Sequence, residues 1–260
     1  RGVVSVGPVS VVRGDPLGLF ERAHRRDDPI DLFVHPRTIA FDGQSLGFLR
    51  DLEGLPASDL SRDDVSFHAL NEYQPGDDLR RVHWRSSART GVLMVRQYEE
   101  TRRSHFVIGL SRASSEYAEA EEFELAISLA GSVGLRAISD AQHVELRVQG
   151  RALASGTGKQ LLDSLAGVEE GRAKDGGLAA LAGTVAAHMP LSSVVVLVGG
   201  SRTSPEELRA ACARLPFGSR VLAIVADLGE APSLRRIGEA DVITVGALEQ
   251  LPLALGKVLA

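Results

Sequence analysis

Apolar and polar positions change rhythm twice along the chain. Residues 1–42 follow a short, β-like rhythm. GVVSVGPVSVV is rich in β-branched residues and is punctuated by Gly7-Pro8. Asp15-Pro16 and Gly18 mark a turn, and LFVHPRTI forms a further short run that Pro36 ends. So few strands predict part of a sandwich or a small sheet. The rhythm is then lost until about residue 66. That stretch is polar and turn-rich, with Gly43, Gly47, Gly54 and Pro56 followed by Asp59, Asp63 and Asp64. It reads as a surface loop, and its aspartates do not have the spacing of an EF-hand loop.

From residue 104 the rhythm lengthens. HFVIGL is an apolar run suited to a buried strand. Ser114 or Ser115 is positioned to cap a long helix, EYAEAEEFELAISLAGSVGLRAIS, whose early turns carry Glu116, Glu119, Glu121, Glu122 and Glu124. HVELRVQG and RALAS predict a hairpin, and KQLLDSLAGVE and GLAALAGTVAAHM predict two helices. SVVVLVGG is a buried strand. Ser204, Pro205 and Glu207 supply an N-cap, an N1 proline and a capping-box partner for the next helix. RVLAIVAD and DVITVG are strands, and ALEQLPLALGKVL is a last helix bent or delayed by Pro252. Strands alternating with helices predict an α/β domain over residues 104–260, with a mostly parallel sheet flanked by helices. A β-rich segment, 1–42, precedes it, and residues 43–103 lie between.

Asn71 to Glu100 dominates that middle region. It holds the only Trp and a row of arginines. Pro75-Gly76 predicts a turn, Asp77 a helix cap, and Asp77 to Ala88 a helix that Thr90-Gly91 ends before a strand, VLMVRQYEE. Arg80 and Trp84 lie one turn apart, so guanidinium and indole can stack. Arg81, Arg85 and Arg89 follow at i, i+4 spacing, where like charges cost about 0.2–0.5 kcal/mol per pair. Such a row calls for acidic partners. It fits an internal ion-pair network fixing two domains together, a docking surface for an acidic protein, or a phosphate site. The Glu116–Glu124 cluster is the first candidate partner. His83 is expected to be a packed structural residue, since no Ser or Cys nucleophile pattern accompanies it.

Composition narrows the choice. The 260 residues are 44% hydrophobic and 24% charged, enough for a folded core of one or two domains. A net charge of −5 and a pI near 5.8 argue against a nucleic-acid partner. The single Cys212 excludes an internal disulfide and a multi-cysteine zinc site, and reads as a small core residue. No 18-residue apolar run exists, so no membrane span is expected here. SGTGKQ imitates a phosphate loop, but Leu153 stands where its first Gly belongs and Gln160 where Ser or Thr must follow the Lys. The chain opens on Arg1 within a predicted strand, without Met or leader pattern, as a piece of a longer protein would.

FHALNEYQPGDDLRRVHWRSSART resembles the signature of the family called domain of unknown function 58. Tyr73, Gly76, Asp77, Arg80 or Arg81, Trp84, Ser87, Ala88 and Arg89 fit it, and Asn71 stands where the family usually has Arg. GPVSVVRGDPLGLF resembles the family's preceding β-sandwich segment. The second half resembles a von Willebrand factor type A domain, the fold usually attributed to this region. That fold's metal-ion-dependent adhesion site has the pattern Asp-x-Ser-x-Ser. The matching positions read Gly109, Ser111 and Ala113, and the later Asp is Gly199, so the site is degenerate and no metal or other cofactor is expected. Ser111, Arg112 and Ser201 are candidates to line a crevice at the sheet's C-terminal edge.

The resemblance implies a parent tethered to the membrane at its cytoplasmic face, and a partner or adaptor of a MoxR-type AAA+ ATPase in assembling or maturing other proteins. The expectation is thus a non-enzymatic interaction module. Two alternatives stand beside it: a metal-dependent adhesion-type binder with Mg²⁺ or Ca²⁺ near Ser111, and a hydrolase using His83 with Asp77 or Asp78.

Overall fold

A computed structural model describes residues 1–17, 19–25, 27–41, 67–73, 82–98, 105–172 and 175–258. The chain divides into two compact units: Arg1–Leu49 together with Ser104–Ala260, and Arg50–Arg103.

The first unit opens with two antiparallel ribbons. β1 (Gly2–Val6) pairs with β4 (Ile30–Val34), Val4 opposite Leu32 and Val6 opposite Ile30. β2 (Ser10–Gly14) pairs with β3 (Glu21–Arg25) around a turn that Asp15 holds by accepting from the Leu17 and Phe20 N–H groups. Gly7-Pro8, between the ribbons, is cis.

The rest of this unit is a seven-stranded sheet. Its order is β12 (Ser233–Ile237), β13 (Ala240–Val245), β11 (Arg220–Ala226), β10 (Val194–Gly200), β7 (His105–Leu110), β8 (His143–Val148) and β9 (Arg151–Leu153). The five inner strands are parallel, and β12 and β9 run antiparallel at the edges. The unpunctuated apolar runs of β10 and β11 are buried nearly throughout, as strands covered on both faces require. Six of these strands match the sequence expectation. β12 is added, turning into β13 at Gly238 in the left-handed region; its exposed, arginine-bearing residues suit an edge strand.

Helices cover both faces. α2 (Ala120–Ser139) lies on one face, so close to the sheet that a side chain at Gly134 would come 2.7 Å from Leu161 and 3.0 Å from Ile108. α3 (Gly158–Ala166), carrying Leu161, packs against it, capped by Thr157. On the other face α4 (Leu178–His188) and α5 (Pro205–Arg214) enclose Val107, Val195, Leu197, Ala223 and Val225. α6 (Leu251–Val258) begins with Pro252 in its first turn, after a 3-10 turn over Leu248–Gln250, so the proline delays the helix.

The predicted start of the long helix is corrected. Ser114–Glu116 forms one 3-10 turn, Tyr117 is extended, and α2 starts after Glu119. The break turns the Glu116 carboxyl into the domain and brings Tyr117 against Gly200.

In the second unit β5 (Phe67–Glu72) and β6 (Met94–Tyr98) form an antiparallel pair. Val95 also bridges Val82, so β6 has β5 on one edge and the Val82-His83 stretch on the other. α1 (Trp84–Thr90) follows directly. Among the described residues no helix is long and apolar enough to cross a membrane.

Candidate functional site

Two constellations carry the sequence-derived candidates. The first is the signature helix of the second unit. The helix expected over Asp77 to Ala88 is not continuous: Val82 is held extended against Val95, His83 N–H donates to Met94 O at 2.7 Å, and a helix starts at Trp84. His83 is the N-cap. Its Nδ1 accepts from Ser86 N–H at 3.3 Å and lies 2.7 Å from Ser86 Oγ. That ring nitrogen is committed to capping, a structural duty. Gly91 ends the helix in the left-handed region at φ 75°, donating to Ser87 O at 2.9 Å. Ser87 is buried; its Oγ donates to His83 O and accepts from Met94 N–H at 2.8 Å. This explains a serine at that signature position: it ties α1 to β6. Tyr73, half-buried, extends the ladder by donating its N–H to Leu93 O.

What this anchoring leaves outside is the chemistry. Trp84 is 68% exposed, and Arg85 and Arg89 are exposed one turn apart. Among the described residues no carboxylate forms an ion pair with either arginine. Gly76, Asp77, Asp78, Arg80 and Arg81 lie outside the described residues, and with them the proposed Arg80–Trp84 stack.

The second constellation is the carboxyl edge of the sheet, at the point where the chain leaves β7 for β8 on one side and returns as β10 on the other. In open α/β sheets this switch point is the usual ligand crevice. Here protein groups fill it. Gly109 lies inside the core: a Cβ there would sit 2.9 Å from Leu197 Cδ2 and 3.4 Å from Leu181 Cδ2. Ala113 is buried and bridges Gly171. Ser111 has no exposed surface, which corrects its expected place on a crevice wall. Its N–H donates to Val198 O, its Oγ accepts from Gln149 Nε2 at 2.8 Å, and its carbonyl accepts from Tyr117 OH at 2.6 Å. A Cβ on Gly199 would stand 2.9 Å from Thr203 Oγ1. Three of the four adhesion-pattern positions bear no ligand atom and the fourth has its oxygen engaged. These residues do not fit a divalent cation, which takes six or more oxygen ligands.

The groups that organise this edge are carboxylates. Glu122 is 1% exposed, and its two oxygens accept from Ala118 N–H and Ser201 N–H, each at 2.5 Å, tying the β10–α5 loop to the start of α2. Glu207 accepts from Ala179 N–H at 2.9 Å, joining α5 to α4 rather than closing the expected capping box on Ser204. Ser204 still caps α5, accepting from Glu207 N–H. Glu116 is 5% exposed and accepts from Leu178 N–H at 2.6 Å. Burial pushes its carboxyl up from the ordinary glutamate range; Ser111 and Leu178 oppose this, and the nearby Glu207 charge adds to it. Burial, with the charges of Glu116 and Glu122, holds the Tyr117 phenol far above its usual value.

The acidic cluster expected to answer the arginine row is therefore largely engaged within its own unit. Glu116 and Glu122 bond backbone amides, and Glu124 pairs with Arg1 at 2.9 Å. A sequence reader sees Glu-rich early turns and assigns them to the helix dipole; their long-range amide partners leave no local signal. Lys159, the phosphate-loop decoy, pairs with Asp163 at 2.6 Å. Among the described residues no group of three or more His, Cys, Asp or Glu has metal-site geometry.

The sequence profile of the family described as "Protein of unknown function DUF58" matches residues 69–242, which spans both constellations. The chain is 30% identical over 135 residues to "Uncharacterized protein YeaD" of Bacillus subtilis (strain 168). That match spans 51% of this chain and 32% of the relative, so the chain corresponds to about a third of that protein's length. No solved structure matches.

Proposed function

The chain belongs to the family described as Protein of unknown function DUF58, and from that premise we propose that it is a non-enzymatic protein-interaction module whose signature helix docks an acidic partner. The carrying observation is the exposed Trp84 beside Arg85 and Arg89 on a helix that Ser87 ties to β6 and that the Val82–Val95 bridge leads into. Trp and Arg are the residue types that concentrate binding energy at interfaces. A rigid seat under them lowers the ordering cost of association. The partner proposed is a MoxR-type AAA+ ATPase, with the pair acting in assembly or maturation of other proteins at the cytoplasmic face of a membrane. We read the large sheet, with its switch point between β7 and β10, as a von Willebrand factor type A-like scaffold whose adhesion site is degenerate. The engaged Ser111 and the crowded Gly109 and Gly199 support that reading over a metal-dependent binder.

Binding of the purified chain to such an ATPase, measured with ATP, ADP or no nucleotide, tests the proposal. Nucleotide-dependent binding that falls at least ~30-fold in Trp84→Ala is the expected result, since central interface tryptophans contribute about 2 kcal/mol or more. Binding unchanged in both Trp84→Ala and the double reversal Arg85→Glu/Arg89→Glu would remove the helix as the docking site.

A further inference from the structure

Two buried oxygens at the carboxyl edge find no partner among the described residues. Glu116 Oε2 and Thr203 Oγ1 are fully enclosed there without a hydrogen bond, in residues that are only 5% exposed. They share the space that Gly199 leaves free. A Cβ on Gly199 would lie 2.9 Å from Thr203 Oγ1 and 3.5 Å from Glu116 Oε2. An ionised carboxylate in such a place has lost hydration that the Ser111 hydroxyl and the Leu178 amide replace only in part, which is unfavourable.

The charged groups around Glu116 give no relief. α5 brings Glu207, and the same short distance from Gly177 to Glu116 Oε1 and Glu207 Oε1 places the two carboxylates side by side. α2 brings Glu122, which in turn faces Asp227 at the end of β11 and, beyond it, Glu230. The loop after β7 brings the Tyr117 phenol, whose neighbours include Glu122 and Glu170. Arg112, on the same loop, directs its Nε to Glu169 O at 2.6 Å. β8 is followed by Gln149, which is neutral and bonded to Ser111 and to Arg112 N–H. Among the described residues no cation acts on Glu116.

Glu116 also sits where three chain segments meet. Its side chain holds the first amide of α4 and its carbonyl accepts from Arg202 N–H at 3.0 Å in the β10–α5 loop. The next residue, Tyr117, presses its ring on Gly200 and bonds back to Ser111 O. We propose that Glu116 is a proton-operated latch: with a proton on its carboxyl it clamps the loop after β7, the start of α4 and the β10–α5 loop together, and on losing that proton it lets them part. The proton removes the charge from Oε2, the oxygen that finds no partner. It also removes the repulsion from Glu207. The raised position of this carboxyl agrees in direction. A glutamate whose folded value lies above its unfolded value contributes stability that is full below the ordinary glutamate range. That contribution is lost as pH rises through the folded value. The latch therefore closes in acid and loosens toward neutral and alkaline pH, exposing the switch-point edge of the sheet.

The test compares wild type, Glu116→Gln and Glu116→Ala by urea unfolding from pH 4.5 to 8.5, with exchange of the Leu178 amide, corrected for intrinsic pH dependence, as the local reading. Gln reproduces the shape and donor of the protonated acid. Relative to Glu116→Gln, the wild type is expected to lose stability as pH rises, by a folding-constant factor of about tenfold per pKa unit of elevation. Its Leu178 exchange should accelerate over the same range while that of Val196, in the strand core, does not. Glu116→Ala should be weaker at every pH. The proposal is overturned if Glu116→Gln is destabilised as much as Glu116→Ala, or if its pH profile runs parallel to wild type. It is equally overturned if MgCl₂ or CaCl₂ raises the wild-type midpoint and Glu116→Gln abolishes that rise, because the carboxyl would then hold a cation. Should both Glu116 variants fail to fold, Glu207→Gln decides. Removing the neighbouring charge must move the wild-type transition to lower pH, and an unmoved transition overturns the latch.

Discussion

The carboxyl edge of the large sheet and the signature helix of the second unit treat charge in opposite ways. At the edge, Glu116, Glu122 and Glu207 are turned inward and accept backbone amides from distant segments. On the helix, Arg85 and Arg89 point outward beside an exposed Trp84, while the anchoring falls to a neutral serine and two valines. The edge lies where α/β sheets usually bind ligands, yet its own side chains occupy it. The helix carries the row for which the sequence allows a clasp, a docking surface or a phosphate site, and Trp84, Arg85 and Arg89 are exposed on it. Position in a fold and availability for binding are separate properties, and only the second one can carry a function.

That contrast can be broken most severely at Gly109. Introducing a carboxylate with Gly109→Asp forces a charge between Leu181 and Leu197. We expect a loss of about 4 kcal/mol or more, or failure to fold, with no gain of Mg²⁺ binding. Urea unfolding and calorimetric metal titration check both parts. Glu122→Ala strips the acceptor from two part-buried amides and should cost about 2 kcal/mol in the same unfolding assay.

Next come the helix variants. Gly91→Ala places a Cβ at φ 75° and should destabilise the second unit by about 1 kcal/mol, read from amide exchange of Ser87 to Met94. Trp84→Ala, at an exposed position, should move global stability by less than about 0.5 kcal/mol while weakening partner binding. A large stability loss there would mean that the indole is structural. The smallest effect is expected at Asp227, whose carboxyl is raised by burial and by Glu122 and Glu230. Asp227→Asn should be slightly more stable than wild type near neutrality. The difference should vanish as pH falls below the ordinary aspartate range, because a raised carboxyl destabilises the folded state only once it is charged.

Much of the architecture was legible in advance because it rests on local rules. Val194–Gly200 and Arg220–Ala226 are apolar without interruption, which only strands covered on both faces tolerate. Ser204-Pro205 and Gly91 announce helix ends by the conformations they favour. The miscast elements share a different cause. Asp77 to Ala88 reads as one helix by propensity, but Val82 is pulled into a bridge by Val95, thirteen positions on in the sequence. Ser114 looks like the cap of α2, but a bond from Glu116 to Leu178, 62 residues away, breaks the helix before it begins.

By itself, then, the amino-acid sequence determined the periodicities, the caps and turns, the family signature and the glycines at positions 109 and 199, since each is a property of neighbours along the chain. Tertiary structure alone decided which charges are used up and which remain. A glutamate in an early helical turn carries the same local signal whether it faces water or accepts an amide from another loop. An arginine looks the same in sequence whether it is paired or free. Only the packing of segments far apart in the chain distinguishes those cases, and here it sets a sealed acidic edge against an open basic helix.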